Sequence, residues 1–270
     1  MIEAKLLKGF LDYSGAEAMN REQVIAQLTQ GFKQSGYSPL ETPVLEYAEI
    51  LMGKLGDEGD KLMYHFKDHG ERHIAMKYDH TVSFARFFAK NFSNLAMPYK
   101  RYQIGPSFRA DKPQKGRNRQ FHQVDIDIIG TESIHSDIDI VSLVLNSLNK
   151  LGLENYTLKI NDRALVDSIF DGIGIDHDKK AAAFTALDKL EKIGIDKVKE
   201  LLYTAGISKQ KTQQLAELLD FQGSNQEILS HLQGYATARL EQIVRTLENI
   251  GLADKVQIDL GIVRGLDYYT

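Results

Sequence analysis

The stretch that decides the fold is residues 99–130, YKRYQIGPSFRADKPQKGRNRQFHQVDIDIIG. Side chains alternate between two faces along residues 99–109 and again along 121–129, and this period of two predicts two β-strands. The residues between them, ADKPQKGRNRQ at 110–120, are too charged for a core and contain Pro and Gly, so they predict a loop. We therefore expect an antiparallel hairpin with a long basic loop.

The alternation sorts the side chains of this hairpin into rows. The first strand places on one side Tyr102, Ile104, Pro106 and Phe108. The second strand has a polar face with Phe121, Gln123, Asp125 and Asp127. Its opposite face consists of Val124, Ile126 and Ile128, which we expect to be buried.

The polar side of the hairpin has the chemistry of a binding site. Arg109, Gln123 and Asp127 point towards one surface, and four cations lie in the loop over it, namely Lys112, Lys115, Arg117 and Arg119. Guanidinium groups recognise phosphate or carboxylate in a bidentate manner. Carboxylates and amides suit an ammonium or imidazole group, so a polyphosphate and a small zwitterion fit side by side. The alternative is a surface hairpin with a solvated charged loop; the polar row opposite an apolar row favours the site.

Composition narrows the classes of protein. The 270 residues are 43% hydrophobic and 26% charged, as in an ordinary globular protein of one or two domains. The net charge of −4 gives no overall basic field, so any contact with RNA must be local. The absence of cysteine excludes disulfides and thiolate metal sites. Since neither a signal peptide nor a membrane span is recognisable, we expect a cytoplasmic protein.

Other segments predict an ordered series of elements. A helix begins after Ser14, with Glu17 as its capping-box partner, and ends near Gly36. Residues 37–46 predict a strand that closes at Pro43, and residues 62–66 and 73–77 predict a second hairpin. A helix with Ser136 as its N-cap follows at 136–151. Helical patterns then run almost continuously from 161 to 251, and 256–260 and 262–266 predict two final strands.

Two groups of side chains in the first half have local explanations as well as functional ones. Asp79 and Thr81 precede a helical segment, where both residue types are common caps. His65, His69 and His73 are spaced by four residues, but the turn at Gly70 separates them, so we do not expect a metal site. The sequence also lacks the phosphate-binding pattern GxxxxGK[ST].

The segment FRADKPQKGRNRQFHQVDIDIIG resembles motif 2 of class II aminoacyl-tRNA synthetases, in the version found in histidyl-tRNA synthetases. Further segments match that family in the same order: KGFLDY at 8–13, TPVLE at 42–46, KYDHTVSFAR at 77–86 and DLGIVRGLDYYT at 259–270. The run RGLDYY is close to diagnostic for these enzymes and their non-catalytic relatives. The resemblance covers this chain from end to end.

The resemblance implies a ligase that activates histidine with ATP and Mg²⁺ and transfers it to tRNA(His). It implies catalytic roles for Arg109 and Arg264. The residues implied to bind ATP are Arg109, Asp111, Arg117 and Phe121. The residues implied to bind histidine are Asp79, Thr81, Gln123, Asp127, Tyr268 and Tyr269. It also implies a homodimer formed through motif 1, the first helix and strand.

The fold implied is α+β, a mostly antiparallel sheet flanked by helices, with a helical insertion. We predict a catalytic core at 1–160, the insertion at 161–252 and return strands of the core at 253–270. Because motif 3 and an anticodon-binding domain follow RGLDYY in the family, we expect an incomplete catalytic region that is inactive alone. A second reading is the synthetase-like regulatory subunit of ATP phosphoribosyltransferase; the set Arg109, Arg117, Phe121 and Arg264 favours the synthetase. A stand-alone interaction module is the third.

Overall fold

The structure is a computed structural model that describes residues 2–53 and 60–263. The chain divides into two compact units, residues 1–136 and 137–269, so the division falls in the first turn of a helix. Both units combine helices with short strands, and the predicted α+β class is confirmed. Every helix in the described ranges is too short or too polar to cross a lipid bilayer.

The first unit is built around two small sheets. Its elements in chain order are α1 (Gly15–Gln34), β1 (Ser38–Pro39), β2 (Leu45–Tyr47), α2 (Ala48–Leu51), β3 (His65–Lys67), β4 (His73–Met76), α3 (Thr81–Asn91), a 3₁₀ turn (Phe92–Asn94), β5 (Tyr99–Phe108) and β6 (Gln120–Ile129). One sheet has the order β1-β5-β6 and the other β2-β4-β3. Only the β1–β5 pairing is parallel in these two sheets as the described residues form them.

The predicted hairpin is confirmed with nearly the expected bounds. β5 and β6 pair antiparallel over ten residues each, from Tyr99 opposite Ile129 to Phe108 opposite Gln120. The second hairpin is confirmed as β3–β4, with Asp68 Oδ1 accepting hydrogen bonds from the backbone N–H groups of Gly70 and Arg72. These side-chain bonds stabilise the turn locally, as Asp commonly does.

Some local predictions were wrong. The single strand expected at 37–46 is two short strands in different sheets, β1 and β2, because the chain leaves the first ladder after Pro39 and bends at Val44 before the second. The capping box at Ser14 does not form, since its side chain makes no capping hydrogen bond within the described residues. The helix expected to start at Ser136 starts at Ile134.

The buried face of β6 also differs from the prediction. Val124, on the apolar row expected to be buried, is 42% exposed. The rest of that face is covered, since Ile126 and Ile128 are half-buried and Tyr102 and Phe108 on β5 are buried. The opposite face is covered as well, and on β5 it contains the buried polar residues Arg101, Gln103 and Ser107. This second face, the inner face of the hairpin, is therefore polar, which is unusual for a buried surface of a sheet.

The second unit is mainly helical. Its elements are α4 (Ile134–Lys150), β7 (Leu158–Ile160), α5 (Arg163–Ile173), α6 (His177–Leu187), α7 (Leu190–Thr204, kinked at Gly194), α8 (Lys209–Asp220), α9 (Asn225–His231), α10 (Ala238–Asn249), a 3₁₀ turn (Ala253–Lys255) and β8 (Val256–Ile258). The core consists of apolar helix faces; Leu145, Leu165, Phe170 and Leu187 are fully buried. Of the last strand predicted, residues 262–263 are not extended into a ladder, and 264–266 lie outside the described residues.

Side-chain caps and parallel pairing fix the limits of the helical run. Asp162 caps α5 by accepting from the Ala164 N–H, and Ser224 and Glu227 form a reciprocal capping box at α9. β7 and β8 pair parallel, from Leu158 opposite Val256 to Ile160 opposite Ile258. The chain thus leaves this small sheet after β7, forms the helices, and returns to the sheet at β8.

The glycine at position 9 yields a prediction about the loop between β5 and β6. Gly9 has φ +87°, and a Cβ there would lie 2.8 Å from Pro113 Cγ and 2.9 Å from Arg119 Cδ. Gly9→Ala should lower the free energy of unfolding by about 2–4 kcal/mol, through left-handed strain and crowding.

Gly36→Ala is the matched control: Gly36 has φ +79° with no heavy atom of the described residues within 4 Å. It should cost about 1–2 kcal/mol. Urea denaturation measures both, and equal losses would contradict the crowding.

Candidate functional site

The candidate site lies on the polar inner face of the β5–β6 hairpin. Cross-strand pairing sets Arg101 opposite Asp127, Gln103 opposite Asp125, Gly105 opposite Gln123 and Ser107 opposite Phe121. Residues paired in this way share one face of the sheet. The row from Asp127 to Phe121 therefore extends over roughly 20 Å, at the rise of about 3.4 Å per residue.

An ion pair occupies one end of the row. Arg101 is fully buried, and its Nη2 lies 2.6 Å from Asp127 Oδ2 and 3.8 Å from Asp125 Oδ2. The contact to Asp127 is an ion pair whose two closest charged atoms are both buried. The Arg101 guanidinium also lies 4.3 Å over the ring of Phe84, from α3. A charge buried this completely requires such partners.

Gln123 and His80 form the middle of the site. Gln123 Nε2 donates to both carboxylate oxygens of Asp125, at 2.9 and 3.1 Å. His80 is fully buried, and its Nε2 lies 3.2 Å from the backbone oxygen of Gln123. The ring packs over Gly105, where a Cβ would lie 3.6 Å from His80 Cε1. His80 thus supports the strand that carries Gln123, and it does so as a neighbour of the polar row.

Several buried polar atoms on or beside this face have no hydrogen-bond partner among the described residues. They are His80 Nδ1, Ser83 Oγ, Gln103 Oε1, Ser107 Oγ and Gln123 Oε1. Because buried polar groups in native proteins are normally paired, their clustering fits a polar ligand or ordered water. The site is therefore equipped to accept hydrogen bonds from a small polar molecule.

Burial also shifts the titration of the ionisable groups. Burial raises the pKa of the Asp127 carboxyl, Arg101 opposes that shift, and Asp125 adds to it. Burial lowers the pKa of Lys77, against the attraction of Glu41, Glu46 and Asp125. The Lys77 ammonium is almost fully buried and donates to the Thr42 backbone oxygen at 3.2 Å.

Arg109 lies at the other end of the row, between two aromatic rings. Its guanidinium carbon is 4.3 Å from the ring centre of Tyr78 and 5.0 Å from that of Phe121. Its Nε donates to the Tyr78 backbone oxygen at 3.3 Å. An arginine held over aromatic faces presents a planar cation in a fixed orientation, which suits an anionic group.

The loop after β5 is tied to the N-terminal segment and to itself. Arg117 forms a salt bridge with Asp111, with both Nε and Nη2 3.0 Å from Asp111 Oδ2. Arg119 donates its backbone N–H to Gly9 O at 2.7 Å and its side chain to the backbone oxygens of Asp111 and Lys8. The two residues that the resemblance assigns to different parts of ATP, Asp111 and Arg117, are thus bonded to each other in this structure.

Asp79 has a clear local role. The carboxylate oxygen Oδ1 of the buried Asp79 accepts hydrogen bonds from the backbone N–H groups of Thr81 and Val82, which begin α3. The capping interpretation is therefore realised by Asp79, and Thr81 is the first residue of the helix. Asp79 and Thr81 are located at the start of the helix that also carries Phe84 onto Arg101.

The predicted site residues thus divide into four sets, of which Asp79 and Thr81, at the start of α3, are one. Gln123, Asp127, Arg109 and Phe121 share one face of the hairpin, and Asp111 and Arg117 lie in its loop. Arg264, Tyr268 and Tyr269 lie outside the described residues. Sequence reasoning missed Arg101, Gln103 and Ser107, although the same alternation that grouped Tyr102, Ile104, Pro106 and Phe108 places these three on the opposite face of β5.

Comparisons with known proteins agree on one family. A sequence model of histidyl-tRNA synthetase matches residues 9–270. The chain is 40% identical over 281 residues to the histidine–tRNA ligase of Rhodopirellula baltica, covering all of this chain and 63% of that protein. It is 37% identical over 270 residues to the histidine–tRNA ligase of Aeropyrum pernix, covering 97% of this chain and 62% of that protein. The chain therefore spans less than two thirds of these relatives.

Solved structures give the same fold. The histidyl-tRNA synthetase of Nostoc sp. PCC 7120 superimposes with a TM-score of 0.84 at 28% identity, over all of this chain and 64% of that one. A protein of Bacillus halodurans described as an ATP phosphoribosyltransferase regulatory subunit/histidyl-tRNA synthetase gives a TM-score of 0.85 at 20% identity, over 71% of its length, and shows the fold alone. The family match across residues 9–270 and the identities of 37–40% together show that this chain belongs to the histidyl-tRNA synthetase family.

Proposed function

We propose that this chain provides catalytic residues of a histidine–tRNA ligase, which joins histidine to tRNA(His) at the expense of ATP. The observation that carries the proposal is the polar inner face of the β5–β6 hairpin. It places Asp127 and Gln123 on the same side of the sheet as Arg109 and Phe121, so groups suited to an amino acid and to a nucleotide follow each other along one row.

The histidine end of the row is the end with Asp127 and Gln123. Asp127 supplies a carboxylate for an ammonium or imidazole N–H, and Gln123 supplies a carbonyl oxygen that is buried without a partner in the described residues. We assign Asp79 and Thr81 to the same pocket by the family pattern, with Tyr268 and Tyr269. Asp79 also caps α3, so its contribution to the pocket is combined with a structural one.

The nucleotide end is the end with Arg109 and Phe121. The aromatic ring of Phe121 offers a stacking surface for adenine, and Arg109 offers its guanidinium to the α-phosphate and to the histidine carboxylate. We assign Arg117 to the phosphates of ATP and Asp111 to the adenine amino group. ATP can contact these two side chains only if their mutual salt bridge opens or rotates. Since that bridge is exposed on the Arg117 side, breaking it costs on the order of 1 kcal/mol or less.

The proposed chemistry is attack of the histidine carboxylate on the α-phosphorus of ATP. Negative charge develops on the phosphoryl oxygens, and fixed cations stabilise it. Arg109 is one such cation, and we assign the second role to Arg264. Mg²⁺ is proposed to arrive with ATP, held by phosphates and water; in the described ranges, no three His, Cys, Asp or Glu side chains gather as a metal-ligand group.

The remaining assignments concern partners and organisation. We propose a homodimer through motif 1, supported by the exposed apolar side chains of Met19, Val24, Leu45 and Tyr47 on α1 and β2. We propose that 161–252 is an insertion into a core formed by 1–160 and 253–270, supported by the β7–β8 pairing that closes the helical run. A cytoplasmic location and contact with tRNA follow from the same proposed activity.

Replacement of Arg109 tests its proposed catalytic role. Arg109→Gln should lower the histidine-dependent rate of ATP–pyrophosphate exchange by about 10²- to 10³-fold, the cost of removing one group that stabilises transition-state charge. The control is Arg72→Gln, because Arg72 lies exposed in the β3–β4 hairpin, paired with Asp68. The assay uses the naturally occurring protein. A full rate with a raised KM for ATP would contradict a catalytic role for Arg109. The absence of exchange in the wild type, with histidine bound, would favour a regulatory subunit.

Replacement of Asp127 tests its proposed role in recognition of the amino acid. Asp127→Ala should weaken histidine binding about 10- to 100-fold, the loss of a hydrogen bond to a charged group, and leave ATP binding nearly unchanged. Isothermal titration calorimetry with each ligand measures both constants. Glu132→Ala is the control, since Glu132 is an exposed carboxylate that follows the same strand. Equal losses for histidine and ATP would show that Asp127 holds the hairpin together and does not select the amino acid.

A further inference from the structure

We propose that Arg101 is a positioning residue of the amino-acid pocket: from the neighbouring strand of the same polar face, its guanidinium keeps the Asp127 carboxylate ionised and fixed in direction. Asp127 can then accept an N–H group of the bound amino acid. The inference rests on the proposed function, since it assumes that this face binds histidine. The family resemblance on which the other assignments rest assigns no role to Arg101.

The position of Arg101 is set by the fold from three sides. Its strand, β5, pairs Arg101 with Asp127 across the hairpin, and the diagonal neighbour on β6 is Asp125. On the remaining side the ring of Phe84 covers the guanidinium at 4.3 Å. Arg101 is 0% exposed, whereas the side chain of Asp127 retains 27% exposure. The arginine is thus fully buried, and the carboxylate is the member of the pair that solvent reaches.

The choice of arginine has a physical consequence. A guanidinium stays protonated in proteins, so a buried arginine cannot escape its desolvation cost by losing a proton. It therefore acts as a permanent positive charge 2.6 Å from Asp127 Oδ2. A carboxylate next to a fixed cation favours its charged form, and an ionised carboxylate accepts hydrogen bonds on every lone pair.

The two carboxylates near Arg101 are not equivalent. Asp125 receives two hydrogen bonds from Gln123 and lies 3.8 Å from the guanidinium. Asp127 lies closer to Arg101 through its buried Oδ2, and its side chain retains 27% exposure, against 16% for that of Asp125. Asp125 is thus engaged in holding Gln123, and Asp127 is the carboxylate with capacity for a ligand.

The surroundings decide how this pair titrates. Ionisable groups that act on Arg101 or the two carboxylates within residues 2–53 and 60–263 include Lys77, His80 and Tyr99, besides Asp125 and Asp127 themselves. Burial and Asp125 both raise the pKa of Asp127, and Arg101 alone of these groups is identified as lowering it. Removal of Arg101 therefore raises the pKa of Asp127 further. In such a variant, Asp127 takes up a proton as the pH falls, and the pocket loses its negative charge.

The test compares histidine binding by the wild type and Arg101→Met in the naturally occurring protein. Calorimetry at about pH 6 and about pH 8 gives the ratio of the two Kd values at each pH, in which the titration of free histidine cancels. The ratio should be larger at the lower pH, because the variant's Asp127, with its raised pKa, takes up more of its proton as the pH falls. Arg101→Lys keeps a positive charge and should restore much of the binding. ATP binding should remain close to that of the wild type.

A ratio that is the same at both pH values, or no loss of binding, would overturn the role of Arg101 and leave the proposed function intact. If the folded wild type does not bind histidine, the proposed function is wrong. The role of Arg101 is then tested separately by a ¹³C NMR titration of the Asp127 carboxyl, whose signal is assigned with Asp127→Asn. A higher midpoint in Arg101→Met supports the inference, and an unchanged one refutes it. Should Arg101→Met not fold, the wild type alone decides: a protonated Asp127 at about pH 7 contradicts the inference, and an ionised one supports it.

Discussion

The ion pair between the buried Arg101 and the carboxylate of Asp127 is the constraint on which the inner face of the hairpin depends. Removing a charge from water costs several kcal/mol per ion even after relaxation, so this face is stable only while its partners stay in register. A shift of one residue between β5 and β6 would move every side chain to the opposite face and leave the guanidinium facing apolar groups. Pairing over ten residues, from Tyr99 to Phe108, prevents such a shift.

The same constraint explains why the site is a layer of mutually dependent groups. Asp125 lies near Arg101 and receives the Gln123 side chain, and the Gln123 backbone oxygen meets His80. α3 brings His80 and Phe84 onto this layer, and Asp79 fixes the start of that helix. A ligand bound at Asp127 and Gln123 is therefore held by side chains whose own positions are determined by buried neighbours. Such support is what a precise binding pocket requires.

The sequence was sufficient to predict the hairpin, its approximate bounds and the residues that share a face, because alternation with period two is a direct property of a strand. Alternation does not say which face is covered: Val124 is exposed on the face expected to be buried, and Arg101 is buried on the face expected to be polar. Arg101 was missed because a charged residue in a strand is normally read as exposed. The Asp111–Arg117 salt bridge was not predictable, since it depends on the path of an irregular loop. The capping box predicted from Ser14 and Glu17 is not formed, whereas Ser224 and Glu227, which have the same spacing, do form one.

The central claim is that the inner face of the β5–β6 hairpin is the amino-acid pocket, and a crystal structure of the naturally occurring protein with histidine tests it most directly. The account predicts the ligand nitrogens within hydrogen-bond distance of Asp127 and Gln123, with the Arg101 guanidinium still on the far side of Asp127 and still over Phe84. Histidine bound elsewhere, or Asp127 turned away from the ligand to pair only with Arg101, would contradict it.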